Sequence, residues 1–260
     1  MGTMKQISPA KRNNLAGLFT NHKRVRMLVE AVLEGQFGTA FADAEREPQV
    51  AQLSIGPFKA FGGDSQHPLA REMLQNLPPS FVLLDSDAWR ELLFQIHGGQ
   101  VKTQSRTAFS SAALDVEHLR PLARSVPTGF QVQRINLDIA RRMVNELEMR
   151  FDLHAFSSPE DFAECGIGFA ALGDQGQRIV CVATSYVICT RGIEIQIVTH
   201  PDFRRKGLAT ATAAALITYC LEHNLEPEWD AEHSVSAGLA EKLGYVQPEP
   251  WDGFIVIPAS

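Results

Sequence analysis

The sequence has no apolar run of about 18 residues, the length that a membrane-spanning helix requires. Its first residues contain no apolar segment of the kind found in secretory signal peptides. Basic residues are not in excess either, because the sequence contains 24 Lys and Arg but 30 Asp and Glu, which gives a net charge of −6. We therefore expect a cytoplasmic protein with no membrane partner and no general nucleic-acid-binding surface.

Cysteine is scarce, and its arrangement argues against a metal centre. The four cysteines have no CxxC spacing and no accompanying histidine pair, whereas zinc sites use ligands at short, fixed intervals. We therefore predict that the protein has no metal site. The four residues are interpreted as buried free thiols: Cys165, Cys181, Cys189 and Cys220.

Charge is distributed unevenly between the two halves of the chain. Residues 1–126 contain 14 basic and 12 acidic residues, a net charge of +2, whereas residues 127–260 contain 10 and 18, a net charge of −8. A chain of 260 residues fits two small domains. We place the boundary near residue 126, in the Pro- and Ser-bearing segment Arg120–Gly129, and predict domains over 1–126 and 127–260.

Hydrophobic periodicity and turn residues predict the elements of the first half. Two helices come first, one from Ser8-Pro9 through Phe19 and one from an Asn21 cap to Leu33. The expected elements that follow are paired strands in Gly38–Ala42 and Ala51–Phe61, a helix His67–Leu77, a strand Phe81–Leu84, a helix Asp87–His97 and a strand Val101–Ser110.

The second half predicts an α+β fold around one mixed sheet with flanking helices. Its element order after the opening helices resembles that of the first half, an α/β domain, so the two halves are candidates for a degenerate repeat. The expected elements are strand Phe130–Ile135, helix Leu137–Arg150, strands Gly166–Ala171, Arg178–Val187 and Gly192–Thr199, a helix from about Gly207 to His223, strand Glu226–Trp229, a helix from a Ser234 cap to Leu243, and strand Phe254–Ile257.

The most informative segment is a strand that runs through a basic loop into a helix. Three of the ten basic residues of the acidic half are adjacent, at Arg204, Arg205 and Lys206, and Gly207 follows them. The N-terminus of a helix exposes backbone N–H groups and attracts anions, and glycine lets the backbone approach an anion closely. With the hydroxyl of Thr210 in the first turn, this segment would suit a pyrophosphate; a solvated surface loop is the alternative.

Two motifs in this half resemble those of the GNAT superfamily of N-acetyltransferases. Arg204–Ala209, with the sequence RRKGLA, matches the pattern [QR]xxGx[GA], and Leu239–Tyr245, with the sequence LAEKLGY, resembles the closing LYEKLGF signature. The resemblance covers roughly residues 130–257. The segments Gly38–Asp43 and Phe58–Asp64 further resemble a two-part bacterial GNAT subgroup that includes zwittermicin-resistance-like proteins.

The resemblance implies a GNAT-like fold and an acetyl-CoA site. The backbone of Ile197, Val198 and Thr199 would pair with the pantetheine arm. The region around His233, Ser234 and Ser236 would flank the thioester. The basic loop with Arg204 would contribute charge, and the pyrophosphate would lie on the N–H groups of Arg205, Lys206, Gly207, Leu208, Ala209 and Thr210.

Acetyl transfer from a thioester needs a base to take a proton from the amine and a backbone N–H to stabilise the oxyanion. Glu194 on the cofactor strand is the preferred base, and His200 at its end is second. Each could instead be an ordinary surface or loop residue. One departure concerns the general acid, because Ala240 occupies the position where many relatives have Tyr, while Tyr245 is interpreted as a packing residue.

We therefore expect an acetyl-CoA-dependent N-acetyltransferase acting on a primary amine of a small molecule, such as an antibiotic or a metabolite. Glu228, Asp230 and Glu232 would favour a cationic amine if they line the acceptor cleft. The first half would be accessory, and a homodimer contact is one of its conceivable roles. The alternatives are a non-catalytic acyl-CoA-binding module, which Ala240 favours, and a protein N-acetyltransferase.

Overall fold

The computed structural model describes residues 3–145 and 155–257. The chain divides into two compact units. One is built from the chain up to Arg106 and again from Pro250 onward, and the other from Thr107–Glu249. None of the helices in the described ranges combines the length and the apolar character that crossing a membrane requires.

The first unit contains a mixed sheet. Its helices are 3-10 segments Pro9–Phe19, Lys23–Val25 and Gly98–Gln100, and α1 (Arg26–Leu33), α2 (Pro68–Gln75) and α3 (Asp87–His97). Its strands are β1 (Lys5–Gln6), β2 (Thr39–Ala42), β3 (Val50–Ile55), β4 (Phe58–Gly63), β5 (Ser80–Leu83), the start of β6 (Val101–Ser110) and the end of β12 (Val246–Val256). The strand order is β1-β2-β3-β4-β5-β12, in which β4 and β5 are parallel.

The second unit also contains a mixed sheet with flanking helices. Its helices are α4 (Val116–Arg124), α5 (Leu137–Asn145), α6 (Pro159–Cys165), 3-10 segments Asp174–Gly176 and Pro201–Phe203, α7 (Leu208–Glu222) and α8 (Ser234–Leu243). The strands that begin within it are β7 (Gln131–Arg134), β8 (Gly168–Gly173), β9 (Arg178–Ile188), β10 (Gly192–Thr199) and β11 (Glu226–Ala231). The strand order is β6-β11-β10-β9-β8-β7, and the β10–β11 pair is parallel.

This architecture confirms the predicted α+β class with a mixed sheet flanked by helices. Both units place a helix between two parallel strands, β4-α2-β5 in the first and β10-α7-β11 in the second. That shared order is what the predicted degenerate repeat requires.

The compact units divide after Arg106 and again after Glu249, and helix α4 covers the first part of the linker that the sequence predicts near residue 126. Its residue Leu119 is fully buried in the apolar core of the second unit. Pro121 lies inside the helix, where the sequence suggests a break. The roles of residues 1–126 as an accessory domain and of 127–260 as an acetyltransferase domain stay predictions.

Other element predictions also need correction. The first helix is a 3-10 segment, and Ala51–Phe61 spans two strands, β3 and β4, rather than one. The last strand begins at Val246, eight residues before the predicted Phe254. The predicted helix Leu137–Arg150 is observed as α5, and residues 146–150 lie outside the described residues.

Three of the four cysteines are buried free thiols as predicted, whereas Cys165 is half-buried. Burial raises the pKa of Cys181 to about 11 and that of Cys220 to about 12. Neither thiol is ionised near neutral pH, so neither supplies a nucleophilic thiolate.

The pairing of β10 with β11 depends on Gly192, the first residue of β10. Gly192 is in register with Glu226, and a Cβ at Gly192 would collide with the Glu226 carbonyl oxygen. Because the obstacle is backbone, it cannot move aside as a flexible side chain would. Glycine thus lets the two strands approach where their parallel pairing begins.

We expect Gly192→Ala to lower the free energy of unfolding by about 2 kcal/mol, because the strands must separate to admit the methyl group. Urea denaturation measures this change. Gly238→Ala is the matched control: no atom lies within 4 Å of an added Cβ at this position of α8, so stability should stay the same or rise. Equal stability of the two variants would contradict the role given to Gly192.

Candidate functional site

The two strands of the second unit's parallel pair separate after a short stretch of pairing. Register pairs join Gly192, Ile193 and Glu194 of β10 to Glu226, Pro227 and Glu228 of β11. Beyond Glu194, β10 continues its antiparallel pairing with β9 as far as Thr199. Within the described residues, Ile195–Thr199 therefore have a strand partner on one edge only. The other edge is the one with which an extended ligand would pair, and the Arg204 side chain contacts its end at the Thr199 carbonyl oxygen.

The strand residues alternate between two faces of this sheet. Ile193, Ile195 and Ile197 pack into the apolar cluster that contains α7, and Trp229 of β11 joins the same cluster. Glu194 therefore faces the opposite side of the sheet, together with its register partner Glu228. Glu228 is 9% exposed, and one carboxylate oxygen of Glu194 is buried. The structure thus brings two acidic side chains together where the strands separate.

After β10 the chain turns through the basic loop into α7. Arg205 and Gly207 have positive φ values, 58° and 82°, and Gly207 is the N-cap residue of the helix. No atom lies within 4 Å of a Cβ built on Gly207, and glycine supplies no side-chain cap for the helix amides. The N-terminus of α7 thus combines uncapped N–H donors, open space and basic neighbours, which suits an anion.

The basic side chains of this loop differ in what they contact. The Arg204 guanidinium donates to the carbonyl oxygen of Thr199 at 3.3 Å, so it lies back against the end of β10. The Lys206 ammonium lies 4.9 Å from the ring centroid of Phe203. In the basic loop, the charge of Arg204 therefore lies against the strand, and the charge of Lys206 lies against an aromatic ring.

His200, the second candidate base, is buried, with 6% exposure. Its Nδ1 atom accepts from the backbone N–H of Asp202 at 3.2 Å, and its Nε2 atom lies 3.0 Å from a guanidinium nitrogen of Arg178. Both ring nitrogens are thus engaged in organising the loop. Of the two candidate bases, only Glu194 lies where β10 and β11 separate.

The start of α8 differs in one detail from the sequence prediction. The N-cap is His233 rather than Ser234, because the Nδ1 atom of His233 accepts from the backbone N–H of Ser236 at 3.2 Å. Histidine is an uncommon cap, so the sequence pattern favoured the serine. Ser234 is exposed in the first turn, and Ser236 accepts a hydrogen bond from the indole nitrogen of Trp229 at 3.3 Å.

The first unit has an analogous parallel pair, but its strand end is covered by its own chain. The β4–β5 pairing ends at Ala60, and a Cβ at Gly62 would collide with the Leu18 carbonyl oxygen of the 3-10 segment Pro9–Phe19. The carbonyl oxygen of Gly63 accepts from the Trp89 indole at 3.0 Å. The end of β4 is therefore in contact with the backbone and an indole of its own unit.

The helix that follows β4 is also a poorer anion site. The N-cap His67 accepts from the backbone N–H of Leu69 at 3.3 Å, and Pro68 has no backbone N–H. The loop before it contains Asp64 and no Lys or Arg. These contrasts locate the candidate site in the second unit.

Known proteins that are similar to this chain include acetyltransferases. The GNAT acetyltransferase family matches residues 16–254. The uncharacterized N-acetyltransferase YdfB of Bacillus subtilis (strain 168) is 30% identical over 162 residues, which are 62% of this chain and 59% of that protein. The match thus spans less than two thirds of that relative's length.

Solved structures extend the similarity to nearly the whole chain. A GCN5-related N-acetyltransferase-like protein from Streptococcus suis 89/1591 is 28% identical with a TM-score of 0.83, covering 95% of this chain and 99% of that chain. A tandem GNAT protein from the clavulanic acid biosynthesis pathway covers 97% of each chain at a TM-score of 0.58 and 12% identity, a likeness of fold alone. With its family match over most of its length, the chain belongs to the GNAT acetyltransferase family.

Proposed function

We propose that the protein transfers an acetyl group from acetyl-CoA to a primary amine of a small molecule, such as an antibiotic or a metabolite. This proposal rests on the end of β10, which has a strand partner on one edge only among the described residues. That end leads directly into the basic loop and the open N-terminus of α7. Family membership supports acyl transfer as the reaction class. The narrower resemblance to zwittermicin-resistance-like proteins stays a prediction.

The residues at the site fit the parts of acetyl-CoA. The free edge of Ile197–Thr199 would pair with the amide groups of the pantetheine arm. The backbone N–H groups of Arg205–Thr210 would hold the pyrophosphate, with Gly207 leaving the space that it needs. Ser234 and Ser236 would lie near the thioester, which supplies the activated acetyl group.

Glu194 is the base in this proposal. An amine attacks only when it is neutral, and a carboxylate at the point where the strands separate can take its proton directly or through water. A backbone N–H on the free edge of β10 stabilises the negative charge that develops on the acyl oxygen. The adjacent carboxylates of Glu228 and Asp230 support a cationic acceptor through charge complementarity.

A non-catalytic acyl-CoA-binding module is the second candidate, and Ala240 favours it because it lacks a hydroxyl. A protein N-acetyltransferase uses the same cofactor site and differs only in its acceptor. Turnover of acetyl-CoA distinguishes an enzyme from a binding module. Comparing the turnover rates with small amines and with peptides distinguishes a small-molecule acetyltransferase from a protein acetyltransferase.

Calorimetric titration with CoA and acetyl-CoA tests the premise that all three candidate functions share, namely that the protein binds this cofactor. We expect one binding site per chain, because the strand end of the first unit is covered by its own residues. Release of free CoA in the presence of a panel of primary amines then identifies an enzyme. Absence of binding by both ligands would contradict the cofactor site, and binding without turnover on amines or peptides would favour the module.

Two substitutions of Gly207 distinguish the effect of charge on CoA binding from the effect of backbone strain. Asp and Asn both tolerate a positive φ, and they differ in charge. We expect Gly207→Asp to weaken CoA binding at least about tenfold more than Gly207→Asn, because a carboxylate repels the pyrophosphate at the helix N-terminus. Acetyl-pantetheine, which lacks the pyrophosphate, should not distinguish the two variants. Equal CoA affinities would refute the pyrophosphate assignment.

Glu194→Gln removes the proposed proton acceptor while keeping a similar shape. We expect kcat to fall by about 100-fold, with the affinity for acetyl-CoA unchanged. Glu222→Gln is the control, since Glu222 is an exposed α7 residue whose carboxylate pairs with Arg120. A Glu194→Gln enzyme that retained at least half of the wild-type kcat would show that another group takes the proton.

A further inference from the structure

One basic side chain beside the loop before α7 comes from a different part of the chain. Arg178 is the first residue of β9, and Cys181 of the same strand is in register with Thr199 at the end of β10. The backbone N–H of His200 then donates to the carbonyl oxygen of Val180 at 2.9 Å, which extends this pairing to the start of the loop. Arg178 therefore lies at the end of β9 that meets the basic loop.

The aromatic ring of Phe203 contacts both this arginine and a lysine of the loop. The guanidinium carbon of Arg178 lies 5.0 Å from the ring centroid, and the ammonium nitrogen of Lys206 lies 4.9 Å from the same centroid. Phe130 packs nearly perpendicular to the ring at a centroid distance of 5.8 Å. Because the face of an aromatic ring attracts cations, Phe203 gathers two positive charges next to Gly207, the N-cap of α7.

The contact between Arg178 and His200 joins two hydrogen-bond donors. The Nδ1 atom of His200 accepts from the backbone N–H of Asp202, so the neutral ring carries its proton on Nε2. A guanidinium nitrogen of Arg178 lies 3.0 Å from that Nε2 atom, and a guanidinium has no acceptor. The Asp202 carboxylate lies 4.0 Å from Nδ1, the other ring nitrogen. An anion that accepts from Arg178 would therefore relieve an unfavourable contact and break no hydrogen bond with His200.

CoA carries a second anionic group besides its pyrophosphate, namely the 3′-phosphate on the ribose. The backbone N–H groups of Arg205–Thr210 suit the pyrophosphate and leave the basic side chains for another partner. A phosphate monoester has nearly two negative charges at neutral pH, and charge-assisted hydrogen bonds bind it most strongly. The planar guanidinium of arginine matches two phosphate oxygens at once. A guanidinium and an ammonium gathered by one ring therefore fit a phosphate monoester.

We propose that Arg178 and Lys206 form a subsite for the 3′-phosphate of CoA and that Phe203 is their positioning residue. This inference rests on the proposed function, because it concerns the same cofactor site. Arg178 donates N–H groups to the phosphate oxygens, and the Lys206 ammonium balances the remaining charge. His200 keeps its hydrogen bond to the Asp202 amide, so the loop retains its shape. The subsite makes the protein selective for CoA over ligands that lack this phosphate.

The ratio of the affinities for CoA and 3′-dephospho-CoA tests the subsite by binding alone. In calorimetric titration we expect wild type to bind CoA about tenfold more tightly, because 3′-dephospho-CoA lacks the charge-assisted hydrogen bonds. Arg178→Gln should reduce the ratio to about twofold or less. Its affinity for 3′-dephospho-CoA should equal that of wild type, which also shows that the variant is folded. Arg124→Gln, which removes a positive charge at an exposed residue of α4, is the matched control and should keep the ratio.

Phe203→Leu tests the positioning role. Leucine keeps an apolar side chain beside Phe130 but has no ring face, so the affinity ratio should fall part of the way, to about threefold. If Phe203 served packing alone, its replacement would weaken the binding of both ligands equally. A ratio equal to that of wild type would therefore overturn the role given to Phe203.

The two ligands also separate failure of the subsite from failure of the cofactor site. If wild type binds CoA and 3′-dephospho-CoA equally, or if Arg178→Gln keeps the full ratio, the inference is overturned and the proposed function stands. If wild type binds neither CoA nor 3′-dephospho-CoA, the proposed function fails and this inference with it.

Discussion

The candidate site depends on the early end of the parallel pairing between β10 and β11. Three register pairs hold the strands together, and beyond Glu194 only the β9 edge of β10 has a strand partner within the described residues. Backbone N–H and C=O groups at a strand edge are costly when they are buried unpaired, so such an edge is a natural template for an extended ligand. Gly192 sets the start of this pairing through its close approach to Glu226.

The two units of the chain can be compared at their parallel strand pairs. Both pairs separate after three register pairs, but among the described residues only the second unit combines an open glycine cap with adjacent basic residues. In the first unit, the backbone at Leu18 covers the strand at Gly62, and Trp89 bonds to Gly63.

The sequence correctly predicts the helices and strands whose bounds are determined by local residue patterns. Helix Asp87–His97 and strands Val101–Ser110 and Gly192–Thr199 agree with their predicted bounds, since each has clear periodicity and flanking turn residues. Helix α4 was missed because Pro121 suggests a break. The start of β12 was missed because strand formation there depends on partners distant in sequence rather than on local pattern. Likewise, the pairing of Glu194 with Glu228 and the Trp229–Ser236 bond join residues whose proximity no sequence spacing reveals.

We propose that acyl-CoA binds in the second unit, along the free edge of β10 and over the N-terminus of α7. A crystal structure of the protein with CoA tests this proposal most directly. We predict a pantetheine arm bonded to the backbone of Ile197–Thr199 and a pyrophosphate on the N–H groups around Gly207. A CoA molecule bound beside β4 in the first unit, or away from both strand ends, would contradict it.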